Sequence, residues 1–364
     1  MPYLDPSLLE PYRRNRLLTM QTHPQYPHLQ IWNYTAECQY SKAWDAVTRQ
    51  CRGLILDTQR EQVHAACLEK FFNLEEYQQQ GWPVPEEMPL IFEKYDGWYA
   101  ALSWIDDEPW ISTRGSFMSP GAVAATAWFR QIIPSMTTRE FDFWRNPDVT
   151  HLFEIIMPET RIVVQYDFAG LVWLCSLDRT TGRTVFTPTD EHFYAIRAAQ
   201  RIHAADYTTL TQQPYANSEG FVVLFPQADV RVKLKFAEYV NLHRIYIGLS
   251  AHSIWKMLYD GSTVEAIVQA LPDELQPWGT QVGTMIVDGV ATRHETIAQV
   301  HTRTLAAIPQ TWGDNKTARD KAMALALLAT EEPFLLLYHK YRDALYKSIE
   351  PTGSETFRQE VADA

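Results

Sequence analysis

The sequence predicts an α+β protein in two parts, strand-rich to about residue 245 and helical beyond it. Short apolar runs punctuated by Gly, Pro, Asn and Asp recur between residues 51 and 236, the pattern of strands joined by turns. After residue 240 these runs stop and apolar residues return at helical spacing. A chain of 364 residues, 46% hydrophobic and 21% charged, is long enough for two cores and ordinary in composition for a globular protein. The domains are placed at 1–245 and 246–364.

From Leu8 to about Tyr34 the pattern is mixed, rich in Pro, Tyr and His, and assigns no element. Cys51-Arg52-Gly53-Leu54-Ile55-Leu56-Asp57 reads as a strand, and Glu69-Lys70-Phe71-Phe72-Asn73-Leu74 also sets a cation beside apolar residues. Pro89 to Phe92, then Glu93-Lys94-Tyr95-Asp96-Gly97, then Trp98 to Leu102 reads as a hairpin, with glycine allowing the chain to fold back. Trp110 to Phe117 reads as a strand ending in a basic turn at Arg114, and Gly121 to Ile133 as a helix. His151 to Ile156, Arg161 to Tyr166 and Leu171 to Cys175 read as strands. Thr187-Pro188-Thr189-Asp190 opens a predicted helix through about His203, since proline suits a first helical turn. Glu219 to Phe225 and Val230 to Phe236 follow as strands, and in the second Arg231, Lys233 and Lys235 share one face. Helices are predicted at 253–259, 263–270, 294–307, 318–329 and 332–348.

Charge and cysteine content exclude some classes of function. A net charge of −12 repels nucleic acid and anionic membranes, so any polyanionic partner must be met by local clusters of Lys and Arg. Cys38, Cys51, Cys67 and Cys175 form no Cys-x-x-Cys pair, which argues against structural zinc and fits free thiols in a reducing cytoplasm. No signal peptide and no apolar run long enough to cross a membrane are visible.

Lys94 is the candidate nucleophile. With an ordinary pKa of about 10.4, only roughly one lysine in 2,500 is neutral at pH 7, so a reactive amine needs neighbours that lower its proton affinity. The chain offers them. Lys233 and Lys235 can bind a phosphate, and Glu154 and Glu219, each beside apolar strand residues, can hold a divalent metal directly or through its waters. The chemistry that uses all these parts is attack of a lysine on the α-phosphate of a nucleoside triphosphate, with pyrophosphate leaving.

Lys94-Tyr95-Asp96-Gly97, Phe153-Glu154, Glu219-Gly220-Phe221-Val222 and Lys233-Leu234-Lys235 resemble, in order, the motifs of the covalent nucleotidyltransferases. The blocks at Cys51 to Ile55, Glu69 to Leu74 and Arg161 to Tyr166 are similar to those of the bacteriophage T4-type RNA ligase 1 family, and the resemblance covers about residues 30 to 245. It implies an ATP-grasp-like nucleotidyltransferase domain of antiparallel sheets with flanking helices, followed by an all-helical C-terminal domain. It further implies ATP and Mg²⁺ (or Mn²⁺) as cofactors, Lys94 as the residue adenylated, Glu154 on the ribose or metal waters, and Glu219 at the metal. Lys233 and Lys235 would grip the α-phosphate. Arg52, Lys70 and Arg114 would meet the triphosphate tail or an RNA 5′-phosphate, and Tyr166 the adenine. Arg114 stands where the family often has lysine, which keeps the charge but changes the hydrogen-bond geometry. The implied partners are RNA ends, single-stranded or in a nicked tRNA-like molecule, and the implied place is the cytoplasm, or the host cytoplasm for a phage-encoded chain. A DNA ligase, a capping-type nucleotidyltransferase and a catalytically idle RNA-end-binding protein are the alternatives.

Overall fold

The computed structural model describes residues 6–157, 163–188, 196–212, 217–269, 271 and 275–306. The chain divides into two compact units, Met1–His243 and Arg244–Ala364. Strands of the first unit are β1 (Leu18–Thr22), β2 (Leu29–Tyr34), β3 (Arg52–Asp57), β4 (Gln62–Ala65) and β5 (Phe72–Asn73). Next come β6 (Leu90–Lys94), β7 (Trp98–Ile105), β8 (Glu108–Thr113), β9 (Val149–Ile156) and β10 (Gly170–Asp178). The last are β11 (Thr184–Phe186), β12 (Arg197–Ala198), β13 (Arg201–Ile202), β14 (Gly220–Phe225) and β15 (Val230–Lys235).

They form three mostly antiparallel sheets: β1-β2-β3-β4; β11-β10-β9-β7-β8, with β12 beside β10; and β13-β6-β14-β15-β5. Two of the first sheet's four strands, β1 and β2, fall in the stretch whose sequence assigned nothing. Of β1 only Leu18 is buried, so no alternation marks it as a strand. Its partner β2 is buried on both faces. Leu54, Cys51, Cys67, Trp32 and Tyr99 pack into one core cluster, and Phe129, Trp144, Phe153 and Trp173 into another. All four cysteines are free and buried. The helix predicted from Gly121 runs Pro120–Ile132, started by the Ser119 hydroxyl accepting from the Ala122 amide.

Three expectations are corrected. The strands flanking Lys94-Tyr95-Asp96-Gly97 are not a hairpin: β6 pairs with β13 and β14, whereas β7 pairs with β8 and β9. The loop therefore carries the chain from one sheet to another. Gly97 permits this crossing, because a Cβ there would lie 2.4 Å from the Ile155 carbonyl oxygen. Second, of the strand predicted over Arg161 to Tyr166, residues 161–162 lie outside the described residues and 163–166 have no ladder. The Val163 and Val164 amides donate instead to Asp96 Oδ2, at 3.0 and 3.2 Å. Third, within the helix predicted to His203, residues 189–195 lie outside the described residues, and the rest holds β12 and β13. Those short strands are fixed by pairing with β10 and β6, which a local helical pattern does not report.

The described part of the second unit is helical: Ala251–Tyr259, Val264–Gln269 and a long helix Gln276–Ala306, around Ile254, Trp255, Leu258 and Ile267. The helices predicted at 318–329 and 332–348 lie outside the described residues. Among the described residues, no helix is long and apolar enough to cross a membrane.

Candidate active site

Strand register assembles the site. Gly220 of β14 faces Lys94 on one side and Lys235 on the other, so these three residues form one row across the sheet. The next row on the same face is Phe92–Val222–Lys233, and the next is Leu90–Leu224–Arg231. Gly220 keeps the first row open between its two lysines. Its φ of +140° is a conformation that L side chains rarely adopt, and a Cβ there would meet the Leu234 carbonyl oxygen at 2.0 Å.

Glu219, 3% exposed, joins both lysines. Its Oε2 accepts from Lys94 Nζ at 2.7 Å and its Oε1 from Lys235 Nζ at 2.7 Å. Burial alone would raise the Glu219 pKa, but the two ammonium groups outweigh it and hold the carboxyl below its ordinary range. For Lys94, burial favours the neutral amine, but the carboxylates of Glu219 and Glu154 prevail and raise its pKa. The candidate nucleophile is thus a paired ammonium, not the free amine that the sequence argument required. Lys233 behaves oppositely. Burial, reinforced by the charges of Lys70, Lys94 and Arg52, pushes its pKa well down, and its ammonium lies 4.6 Å from the Phe71 ring centre.

Glu154, in the middle of β9, accepts from the Gly97 amide at 3.2 Å, and burial pushes its pKa up to about 7 despite the opposing Lys94 charge. Arg52 stacks over Tyr99 at 4.4 Å. Arg114 stacks over Tyr34 at 5.1 Å while its Nη1 donates to the Tyr34 hydroxyl at 3.1 Å. These contacts fix guanidinium groups in place through aromatic faces.

Lys94 borders two openings. One is a cavity of about 100 Å³ walled by Phe92, Val222 and Leu224 and reached by Arg52, Glu154, Lys233 and Arg231. The other, about 490 Å³, is lined by Arg52, Arg114, Glu154, Glu219, Lys235 and Asn33. Of the nine residues singled out in the sequence, six therefore meet around the seventh, Lys94. Lys70 lies in an adjoining cleft of about 530 Å³ with Arg49 and Arg183. Burial lowers its pKa, and the charges of Arg52 and Lys235 add to that effect. Tyr166 lines neither opening: it stacks behind Tyr95, with ring centres 5.8 Å apart.

Sequence reasoning gave Asp96 no role beyond its place in the motif and overlooked Tyr239. The Asp96 Oδ1 accepts from the Tyr239 hydroxyl at 2.9 Å, and the Asp96 amide donates to the Tyr166 oxygen at 2.7 Å. With the Val163 and Val164 amides, these bonds hold the loop after Lys94 in place. Arg231 was noted only for its strand face, yet it forms part of the cavity wall.

A model of the family described as RNA ligase matches residues 50–239, more than half of the chain. The chain belongs to the RNA ligase family. A curated relative, described as a bifunctional polynucleotide kinase/RNA ligase of Autographa californica nuclear polyhedrosis virus, is 25% identical over 224 residues. That alignment covers 54% of this chain and 31% of the relative, so the chain spans about a third of the relative's length. Similar solved structures include an archaeal ATP-dependent RNA ligase (TM-score 0.46, 13% identity, 79% of each chain). An ATP-dependent DNA ligase of Aquifex aeolicus has a TM-score of 0.43 and 14% identity, over 90% of this chain and 80% of that one. A Naegleria gruberi RNA ligase mutant solved with ATP and Mn has a TM-score of 0.33 and 12% identity, over 43% of this chain and 51% of that one. The segment matched to the RNA ligase family includes every candidate residue from Arg52 to Lys235, and Tyr239 besides. Asn33 and Tyr34 lie upstream of it.

As for a metal, among the described residues no group of three or more His, Cys, Asp or Glu forms a ready-made cage. Glu219 and Glu154 beside a cationic row fit instead a hard cation that keeps several waters and takes its remaining ligands from substrate phosphates.

Proposed function

We propose that this chain is an ATP-dependent RNA ligase that joins a 5′-phosphate to a 3′-hydroxyl through lysyl-AMP and adenylated-RNA intermediates. The observation that carries the reading is Lys94, shared by a small apolar-walled cavity and a wider cleft and aligned with Lys235 and Lys233. ATP lies over Lys94, one end entering the small cavity and its α-phosphate toward the lysine rows. Glu219 and Glu154 would hold a Mg²⁺ or Mn²⁺, which would supply positive charge to offset that of the phosphates.

The chain's own residues do the rest. When Glu219 is drawn off, Lys94 loses the partner that favours its proton, and Lys233 and Lys235 disfavour the charged form. The Lys94 ammonium gives a proton to solvent, and the neutral Nζ then attacks the α-phosphorus and sheds a second proton to solvent. A P–N bond forms, the bond to the β-phosphate oxygen breaks, and pyrophosphate leaves with the electron pair. An RNA 5′-phosphate oxygen next attacks the same phosphorus and breaks the P–N bond, and the amine takes up a proton. Finally a 3′-oxygen attacks the 5′-phosphorus and AMP departs. Arg52 and Arg114, each fixed on an aromatic ring, orient the phosphates. The partners are RNA ends, in single strands or a broken tRNA-like loop, and the setting is cytoplasmic.

Incubation with α-labelled ATP and Mg²⁺ is expected to label the protein covalently, and Lys94→Ala to abolish the label. A label that survives in Lys94→Ala, or no label at all in the wild type, refutes the reading. GTP in place of ATP, and DNA ends in place of RNA, separate it from capping-type and DNA-joining chemistry.

A further inference from the structure

One buried side chain in the wider cleft has no part in this mechanism. Asn33 is 8% exposed and lies in the cleft wall with Lys94, Arg52 and Arg114. Its Oδ1 is shielded from solvent and accepts no hydrogen bond from any described residue. Buried polar atoms are nearly always paired, so an unmet acceptor in a cleft wall points to a donor that arrives with the ligand.

The backbone aims it there. The β2–β3 register slips between Trp32 and Asn33: Trp32 faces Leu54, Asn33 faces Arg52, and Gly53 is the extra residue, with φ of +99°. A bulge of this kind re-aims side chains next to active sites. On the other flank, a Cβ on Gly115 would stand 3.5 Å from Asn33 Nδ2. The carboxamide thus sits between the Arg52 and Arg114 segments.

An amide oxygen cannot bind a phosphate oxygen; it accepts from O–H or N–H. Beside two arginines that orient phosphates, the fitting donor is a hydroxyl borne close to a phosphate, which is what a ribose supplies. If AMP-activated phosphate sits over Lys94, as the proposed function has it, an incoming hydroxyl reaches it through the cleft that shares Lys94, Glu154 and Arg52 with the small cavity. We propose that Asn33 is a substrate-binding residue whose carboxamide oxygen accepts a hydrogen bond from a ribose hydroxyl at the RNA 3′ end. As a neutral amide it takes no proton. The 3′-oxygen bonds to the 5′-phosphorus, AMP leaves with the electron pair, and the proton passes to solvent.

The test uses the full chain and pre-adenylated RNA as donor, with acceptors ending in ribose or 2′-deoxyribose, and a 3′-deoxy end as competitor. The wild type is expected to bind one of the two deoxy ends about tenfold more weakly, the usual size of one lost hydrogen bond. Asn33→Leu, similar in volume, should bind the ribose end about tenfold more weakly and lose that one discrimination, which identifies the hydroxyl. A variant that handles ribose ends like the wild type, or keeps both discriminations, overturns the proposal. Should thermal melting show that the Leu variant does not fold, Asn33→Asp keeps both size and acceptor: retained discrimination supports the assignment and its loss overturns it. Wild-type protein that forms no adenylate fails the ligase reading itself, an outcome separate from all of these.

Discussion

Lys94 rests as an ammonium because Glu219 and Glu154 overcome its burial. Glu219→Gln removes the charge that holds the proton and leaves burial to depress the amine. Its reaction with an amine-directed reagent at pH 7.5 is expected to quicken roughly tenfold, one unit of pKa, read by mass spectrometry of the Lys94 peptide. Equal rates in both proteins would show that the pair does not control the nucleophile. Glu154 makes a second prediction. Its pKa rises from 4.5 to about 7 on folding, so between those values the native state binds more protons than the unfolded chain. Stability from this group is present at low pH and is lost as pH rises through about 7. Glu154→Gln should flatten that decline, by on the order of 2–3 kcal/mol between pH 5 and pH 8 in urea unfolding. Identical pH profiles would refute it.

At the scale of elements, β14 separates the two lysines of the first row and closes too tightly on β15 to admit a side chain at Gly220. Gly220→Ala forces a strained φ and a clash with Leu234. A loss of about 2–4 kcal/mol is expected, with a melting temperature lower by several degrees, and adenylation should fall with it. An unchanged melting curve would mean that the ladder relaxes at no cost. The same sheets show what a sequence can reveal. β3, β8, β9, β10, β14 and β15 are continuous apolar or alternating runs, and burial makes such runs visible. β1 buries one residue and leaves no pattern. That β6 and β7 part into different sheets was invisible, because strand–turn–strand looks alike whether its strands pair with each other or with distant partners. Nor could composition show that Asp96 holds amides 67 and 68 residues away. The lysines and glutamates of the site were legible because charge beside apolar strand residues is conspicuous. Asn33 was not, because a register slip, not its neighbours in the chain, turns it inward.

For the whole molecule, a net charge of −12 means that the RNA of the proposed reaction must be gripped locally. The wider cleft offers Arg52, Arg114, Lys94 and Lys235, the last two already engaged by Glu219. The logarithm of single-strand affinity should fall against the logarithm of salt with a slope of about −1 to −3, at roughly 0.7 per phosphate met. Fluorescence anisotropy checks this, and a slope near −6 would place most of the contact elsewhere. The two openings onto Lys94 carry a further consequence. If the nucleotide binds at the smaller opening, as proposed, loading the enzyme need not wait for a broken strand to arrive. A stock of charged molecules can then persist after ATP is withdrawn. The joins completed from that stock, one per loaded molecule, would count how much of it was waiting.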